Sequence, residues 1–361
     1  MKSAVACLAL VWLAACTEKS PPETAPKPSP AAVPPPWTPA AIAHCGSGTP
    51  PSEGGGCPGA VEAALAALER GIDPLDAAVA GVIPLEDDPR YNAGTGANVR
   101  LDGRTVQMDA AVADSKGRYG AVAVIEKVRN PVLVARAVAD TPHRLLAGEG
   151  ATAFARVLGH AEHDVTTPET IAQSRKMMAR LVASDPKLPR AWRGFDWRRV
   201  WNFETPPSAS ASPAAAGAVP DAVPDAKAER QNTDTVGVAV RSADGRFAGA
   251  LSTGGWTLML NGRIGDTPVP GAGLYVGPAG AVAGTGRGEK IIDVALARTV
   301  YGWLEQGVPA EEAARRGVEL LGGEGGLIVM TATESAGAAG RVMAWCAREN
   351  GGQMRGSTVE K

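Results

Sequence analysis

Residues 234–266, DTVGVAVRSADGRFAGALSTGGWTLMLNGRIGD, constrain this chain more than any other stretch. Two pieces, TVGVAV and GRFAGALS, read as short strands in a glycine-rich frame. The segment spaces Thr235, Thr253, Arg263 and Asp266 along that frame. Cutting the bond between Asp234 and Thr235 would give Thr235 a free α-amine beside its own hydroxyl, a nucleophile that carries its own base. The preceding residues 204–229, ETPPSASASPAAAGAVPDAVPDAKAE, are rich in Pro, Ala and Ser and predict a mobile linker up to about residue 231. A slack segment there lets a newly cut chain end swing away from Thr235 without tearing the core.

The rest of the 361 residues suits one large domain or two ordinary ones. Hydrophobic residues make up 45% but aromatics only 4%, so the core must be built from Ala, Val and Leu with close backbone packing. The net charge of -2 and the lack of a basic cluster exclude a nucleic-acid footprint. A strand is expected at 40–44, helices at 58–70 and 73–85, and strands turning at DG and KG across 101–128. Further helices are expected at 131–136 and 142–158. After Thr235 come strands, two helices at 291–305 and 309–321, and two last strands, GGLIVMTAT and GRVMAWCAR. Sheets covered by helices accommodate that order.

The first residues, MKSAVACLALVWLAACTEKS, have a short positive start and an apolar run too short to span a membrane as a mature helix. Residues 1–15 read as a signal peptide. LAAC resembles the lipobox of bacterial lipoproteins, which would put a lipid on Cys16; a plain signal peptide with an incidental cysteine is the other reading. Residues 16–38 suit a flexible tether. Thr17 after the cysteine points to the outer membrane, facing the periplasm or beyond. Cys45, Cys57 and Cys346 remain. The chain has no CxxC pair, and its four histidines lack ligand spacing with the cysteines, which argues against zinc. Cys45 and Cys57 are either a disulfide closing a Gly/Pro loop or two free thiols.

DTVG, STGG, NGRIGD and GTGRGE occur in that order, after LEDDPRYNAGTG and LDGRTVQMDAAV. Together they resemble the N-terminal-nucleophile hydrolases of the plant-type asparaginase, isoaspartyl peptidase and glycosylasparaginase family, over roughly residues 39–361. The resemblance implies an α+β fold, a four-layer αββα sandwich, made of an α chain to residue 234 and a β chain 235–361. It implies Thr235 as nucleophile of autocleavage and hydrolysis, and Thr253 as the second hydroxyl that polarises it. It gives Arg263 the substrate α-carboxylate, Asp266 the α-ammonium, and Thr285 and Gly286 the oxyanion hole. Asn92 would support the nucleophile strand. No cofactor is implied for catalysis, though the turn with Leu85, Glu86 and Asp88 resembles one that binds structural sodium in some relatives. A dimer of cleaved αβ units is implied as well.

Arg and Asp three positions apart can meet the two charges of one zwitterion, which selects an amino-acid head group. The expected activity is hydrolysis of β-aspartyl dipeptides and of L-asparagine, releasing L-aspartate. Glycosylasparaginase activity is the alternative, and a non-catalytic exported module is a third reading that would require loss of Thr235, Arg263 or Thr285. The sequence departs from the family pattern at His44-Cys45, at Trp256, and at Leu258-Met259-Leu260-Asn261, all around the leaving-group side of the pocket.

Overall fold

The computed structural model describes residues 37–207 and 235–358. The signal segment, Cys16, nearly all of the tether, most of the expected linker, and Asp234 lie outside the described residues.

The first part contains β1 (Ala40–Ser47), α1 (Gly56–Glu69), α2 (Pro74–Asp87), β2 (Met108–Asp114) and β3 (Tyr119–Ile125). It continues with α3 (Pro131–Val138), β4 (Leu145–Ala147), α4 (Gly148–Val157) and α5 (Pro168–Val182). The second part opens with β5 (Val236–Arg241), β6 (Phe247–Thr253), β7 (Leu274–Gly277) and β8 (Gly280–Gly286). Then follow α6 (Gly288–Asp293), α7 (Leu296–Glu305), α8 (Ala310–Leu320), β9 (Gly325–Met330), β10 (Ser335–Ala339), β11 (Met343–Glu349) and β12 (Arg355–Gly356).

Two sheets result. One has eight strands in the order β12-β11-β1-β5-β6-β2-β3-β4, and the other has four, β10-β9-β8-β7. The strand that follows Thr235 is therefore central in the larger sheet, antiparallel to β1 on one side and β6 on the other. Helices α1, α2 and α3 bury Val, Leu and Ala side chains against the larger sheet. A second cluster, with Ile42, Phe247, Leu251, Leu274 and Ile328, joins residues of both sheets. A third, with Val282, Leu296, Val300 and Leu327, joins the smaller sheet to α7 and α8. Small residues let these surfaces approach: a Cβ on Gly249 would lie 2.9 Å from Leu274 Cδ1.

Local signals explain most boundaries. Asp73 caps α2 by accepting from the Leu75 amide at 3.0 Å, with Pro74 in the first turn, and α1 stops before Gly71, whose φ is +74°. Three expectations need correction. The helix expected over 142–158 begins only at Gly148; Leu145–Ala147 instead pairs in parallel with β3. The helix expected over 291–305 is two helices, broken at Ala295 with φ 43°. There the Ala297 and Arg298 amides, in the first turn of α7, donate to Ala272 and Gly271 at 2.9 Å each. The last two expected strands are joined by β10, which folds back on β9, and by β12 on β11. Helix α5, started by a Thr167–Thr170 capping box, carried no expectation from the sequence. Cys45 and Cys57 form a disulfide with Cα atoms 5.9 Å apart, tying β1 to α1.

Candidate active site

Thr235 is buried at the entry to β5. Val236 pairs with Ser252, so the antiparallel ladder continued by one residue puts Thr235 opposite Thr253. Thr253 is buried too, and its Oγ1 accepts from the Gly255 amide at 3.0 Å. On the other neighbour, His44 pairs with Gly237, and its ring occupies the space a side chain there would need: a Cβ on Gly237 would lie 2.4 Å from Nε2. Burial drives the His44 pKa down to about 3, against the opposing pull of the Thr235 backbone, so this imidazole stays neutral at pH 7.

Thr285 comes from the smaller sheet. Its fully buried Oγ1 accepts from the Ser47 amide, at the end of β1 in the larger sheet, at 3.0 Å. That contact joins the two sheets at the site. With its acceptor side engaged by Ser47, the hydroxyl keeps its hydrogen to donate. Gly286 follows with φ 137°, and a Cβ there would lie 2.5 Å from Gly325 Cα, so only glycine fits.

Arg263 and Asp266 stand on the loop between β6 and β7. Both side chains converge on Gly288, the first residue of α6: a Cβ at Gly288 would lie 2.7 Å from Arg263 Nη2 and 3.0 Å from Asp266 Oδ1. Arg263 also donates to Glu289. Burial pushes the Glu289 carboxyl up, but the Arg263 guanidinium outweighs it and the net shift is downward.

Asn92 reaches the turn after β6. Its Nδ2 donates to Gly255 O at 2.6 Å, its Oδ1 accepts from the Asn98 amide at 2.9 Å, and its carbonyl accepts from the Gly254 amide. It thereby braces the STGG turn beside Thr253.

Sequence reasoning missed the residues that hold the Arg263 loop. Asp109, buried, accepts from the amides of Val124 and of Gly265, the latter between Arg263 and Asp266, at 2.8 and 3.2 Å. Arg100, also buried, donates to the Arg263 carbonyl at 3.1 Å and to Met259 Sδ at 2.9 Å. Desolvation lowers its pKa to about 10, so it remains charged. Gln107 accepts from the Gly262 amide and donates to the Asn261 side chain. Asp109 and Gln107 lie in the QMDA piece of the resemblance, so a signal existed; Arg100 gave none, because a buried cation cannot be told from a surface one by spacing. A cleft of about 270 Å³ adjoins Arg263 and Glu289, walled by Trp192, Trp256 and Leu258 among others.

A buried threonine at the entry to a central strand with Thr253 opposite it, a buried Thr285 hydroxyl joining the two sheets, and an Arg–Asp pair on the loop after β6 together fit an N-terminal-nucleophile hydrolase. The chain belongs to the asparaginase family, whose model, described as "Asparaginase", matches residues 56–355. It is 34% identical to an isoaspartyl peptidase/L-asparaginase of Danio rerio over 87% of this chain and 93% of that protein. It is 35% identical to a plant-type L-asparaginase of Pyrococcus abyssi over 73% of this chain and 77% of that one. It is 31% identical to an N(4)-(beta-N-acetylglucosaminyl)-L-asparaginase of Elizabethkingia miricola, over 70% of this chain and 63% of that one.

Proposed function

We propose that the chain is a self-cleaving threonine amidohydrolase that acts on β-aspartyl (isoaspartyl) peptides and L-asparagine and releases L-aspartate. The observation that carries this reading is the convergence of Arg263 and Asp266 on Gly288, two residues beyond Gly286. Arg263 takes the substrate α-carboxylate and Asp266 its α-ammonium, which leaves the β-carbonyl for Thr235. The new α-amine of Thr235, with a pKa near about 7.7, accepts the hydroxyl proton as Oγ1 attacks. The Thr285 hydroxyl and the Gly286 amide meet the oxyanion. The proton passes to the departing amine, and water then opens the aspartyl ester. Thr253 polarises Thr235. Before cleavage the base is an amide, so the precursor is inert toward substrate.

The reading extends to the whole chain. A signal at 1–15, a lipid on Cys16 and a tether at 16–38 place a single domain, 39–361, in the cell envelope as an outer-membrane or periplasmic protein. Its α chain ends at Asp234 after the 204–231 linker, and cleaved αβ units pair as dimers. The three packing clusters support a four-layer αββα order. A structural sodium ion near Leu85, Glu86 and Asp88 would rest on main-chain oxygens. Glu86 accepts from Ser252 and the Val132 amide through Oε1 alone, while its Oε2 is buried without a hydrogen bond, and Asp88 holds Arg90.

Glycosylasparagine hydrolysis is the second reading, favoured by the Elizabethkingia miricola relative, and it shares the same head group. Purified protein incubated with β-Asp-Leu, L-asparagine and a glycosylasparagine decides among them. Aspartate release from the first two supports the proposal, preferential turnover of the third supports the alternative, and no release from any of them overturns both.

A further inference from the structure

Residues 187–203, KLPRAWRGFDWRRVWNF, hold five cations, Lys187, Arg190, Arg193, Arg198 and Arg199, against one carboxylate, Asp196. In a chain of net charge -2 that is a strong local excess. The same stretch holds three of the eight Trp and two of the four Phe. Aromatic, proline and glycine residues separate most of the cations, so they make no basic run in the sequence.

The fold presents this stretch to solvent. All five cations are exposed, and none has an ion pair among the described residues. Phe195 and Val200 are exposed beside them, at 42% and 39%. Arg193, Phe195 and Arg198 line one hollow of about 280 Å³. Asp196 lines it too, and its Oδ1 accepts from the Arg199 amide at 3.3 Å. The stretch is nonetheless fixed to the domain. Trp197 is buried with Leu181, Leu188 and Leu258, and the Arg198 guanidinium lies over its ring, 4.1 Å from the centroid. Trp192 meets the Phe195 ring edge-on at 5.5 Å. Asn202 and Asn261 exchange two hydrogen bonds, at 2.8 and 3.1 Å. Apolar packing and these bonds hold the stretch, and its five cationic side chains are left facing water.

We propose that residues 187–203 form a docking surface for an anionic lipid bilayer, in which Arg193, Arg198 and Arg199 meet lipid phosphates while Phe195 and Val200 enter the headgroup boundary. Unpaired guanidinium groups suit phosphate oxygens. Each cation near an anionic membrane surface adds about fivefold to binding. Cations alone would suit any polyanion. The exposed Phe195 and Val200 among them select a bilayer, which offers an apolar boundary directly beneath its phosphates. A lipid on Cys16, expected from the sequence, would keep the domain near a bilayer without choosing which face meets it; this surface makes that choice. The proposal does not depend on the hydrolase reading.

The test uses the chain from Cys16 onward, made without its leader so that it carries no lipid. It is sedimented with vesicles of phosphatidylcholine alone, or of phosphatidylcholine and phosphatidylglycerol in equal parts. Binding is expected to be at least about tenfold tighter to the mixed vesicles and to weaken as salt is raised. Arg193→Gln, Arg198→Gln and Arg199→Gln combined should lower the partition coefficient about 100-fold, at about fivefold per cation. Phe195→Ser with Val200→Ser should lower it at least about threefold and leave the salt dependence in place. Melting temperatures are measured alongside; if the triple variant melts below wild type, Arg193→Gln alone, with about a fivefold loss expected, decides. Equal binding to both kinds of vesicle, or binding unchanged in the arginine variants, overturns the proposal. So does equal or tighter binding of a single-stranded oligonucleotide, which would make this a general polyanion surface. Self-association that the arginine variants abolish, with no vesicle binding in wild type, also overturns it and assigns the surface to contact between copies of this chain.

Discussion

Arg263 donates from both Nε and Nη2 to one oxygen of Glu289, at 3.1 and 2.8 Å, with its side chain only 17% exposed. The guanidinium is thereby oriented by the protein itself, with Nη2 against Gly288 and Nη1 toward Gly265 and Gly255. Arg263→Ala should lower kcat/KM for β-Asp-Leu by about 2–5 kcal/mol of binding, roughly 30- to 5,000-fold, because the substrate carboxylate would be buried unpaired. Arg263→Lys should recover little, since a point charge does not replace a planar fork. Self-cleavage should survive, because the scissile bond presents no free α-carboxylate at that position. Measuring the processed fraction and kcat/KM on one preparation checks both halves. A fully processed Arg263→Ala enzyme with wild-type turnover would show that the clamp is misassigned.

Self-cleavage itself should yield two chains, 16–234 and 235–361, visible by intact mass. Thr235→Ala should stay one chain and be inactive, and Thr235→Ser should process slowly because it keeps a hydroxyl. Active wild-type enzyme that runs as a single chain would sink this mechanism.

Thr285 tests the bridge between the sheets. Thr285→Val removes the donor proposed for the oxyanion and leaves the Ser47 amide without its acceptor. The expected loss is about 10²- to 10³-fold in kcat, near 3 kcal/mol, with KM changed little. A KM effect with kcat preserved would assign Thr285 to ground-state binding.

Glu86 links the site to pH. Burial pushes its carboxyl up to about 8, although Ser252 and the Val132 amide favour the charged form. The unfolded chain releases this proton near about 4.3. The folded protein therefore holds a proton that the unfolded chain has lost, and the group's stabilisation, full below the unfolded pKa, declines as pH rises through about 8. His44, held neutral with a pKa near 3, works the other way, but only at pH values below its unfolded value near about 6.5. Melting temperatures of wild type and Glu86→Gln at pH 6.5 and 8 isolate the effect: wild type should lose more stability over that interval than the variant. Equal slopes would show that Glu86 is ionised in the folded protein.

The sequence alone located much of this protein. Residues 234–266 carry Thr235, Thr253, Arg263 and Asp266 within one continuous stretch, so local spacing could reveal them. Short apolar runs found β5, β6 and β8, which are buried on both faces, and helical periods found α2 and α8, which bury one side against a sheet. Three kinds of feature stayed hidden. Elements defined by their partner rather than their own period, such as β4 on β3 and the break at Ala295 beneath Gly271 and Ala272, cannot be seen locally. Buried polar braces such as Arg100 and Asp109 take their meaning from the loop they hold. The contact between Ser47 and Thr285 joins residues 238 positions apart on different sheets. Only the stacking of those sheets brings a hydroxyl from one to the strand end of the other. Composition set which residues were available for the site; non-local strand pairing decided which of them meet, because side-chain period records which face is buried but not what is buried against it.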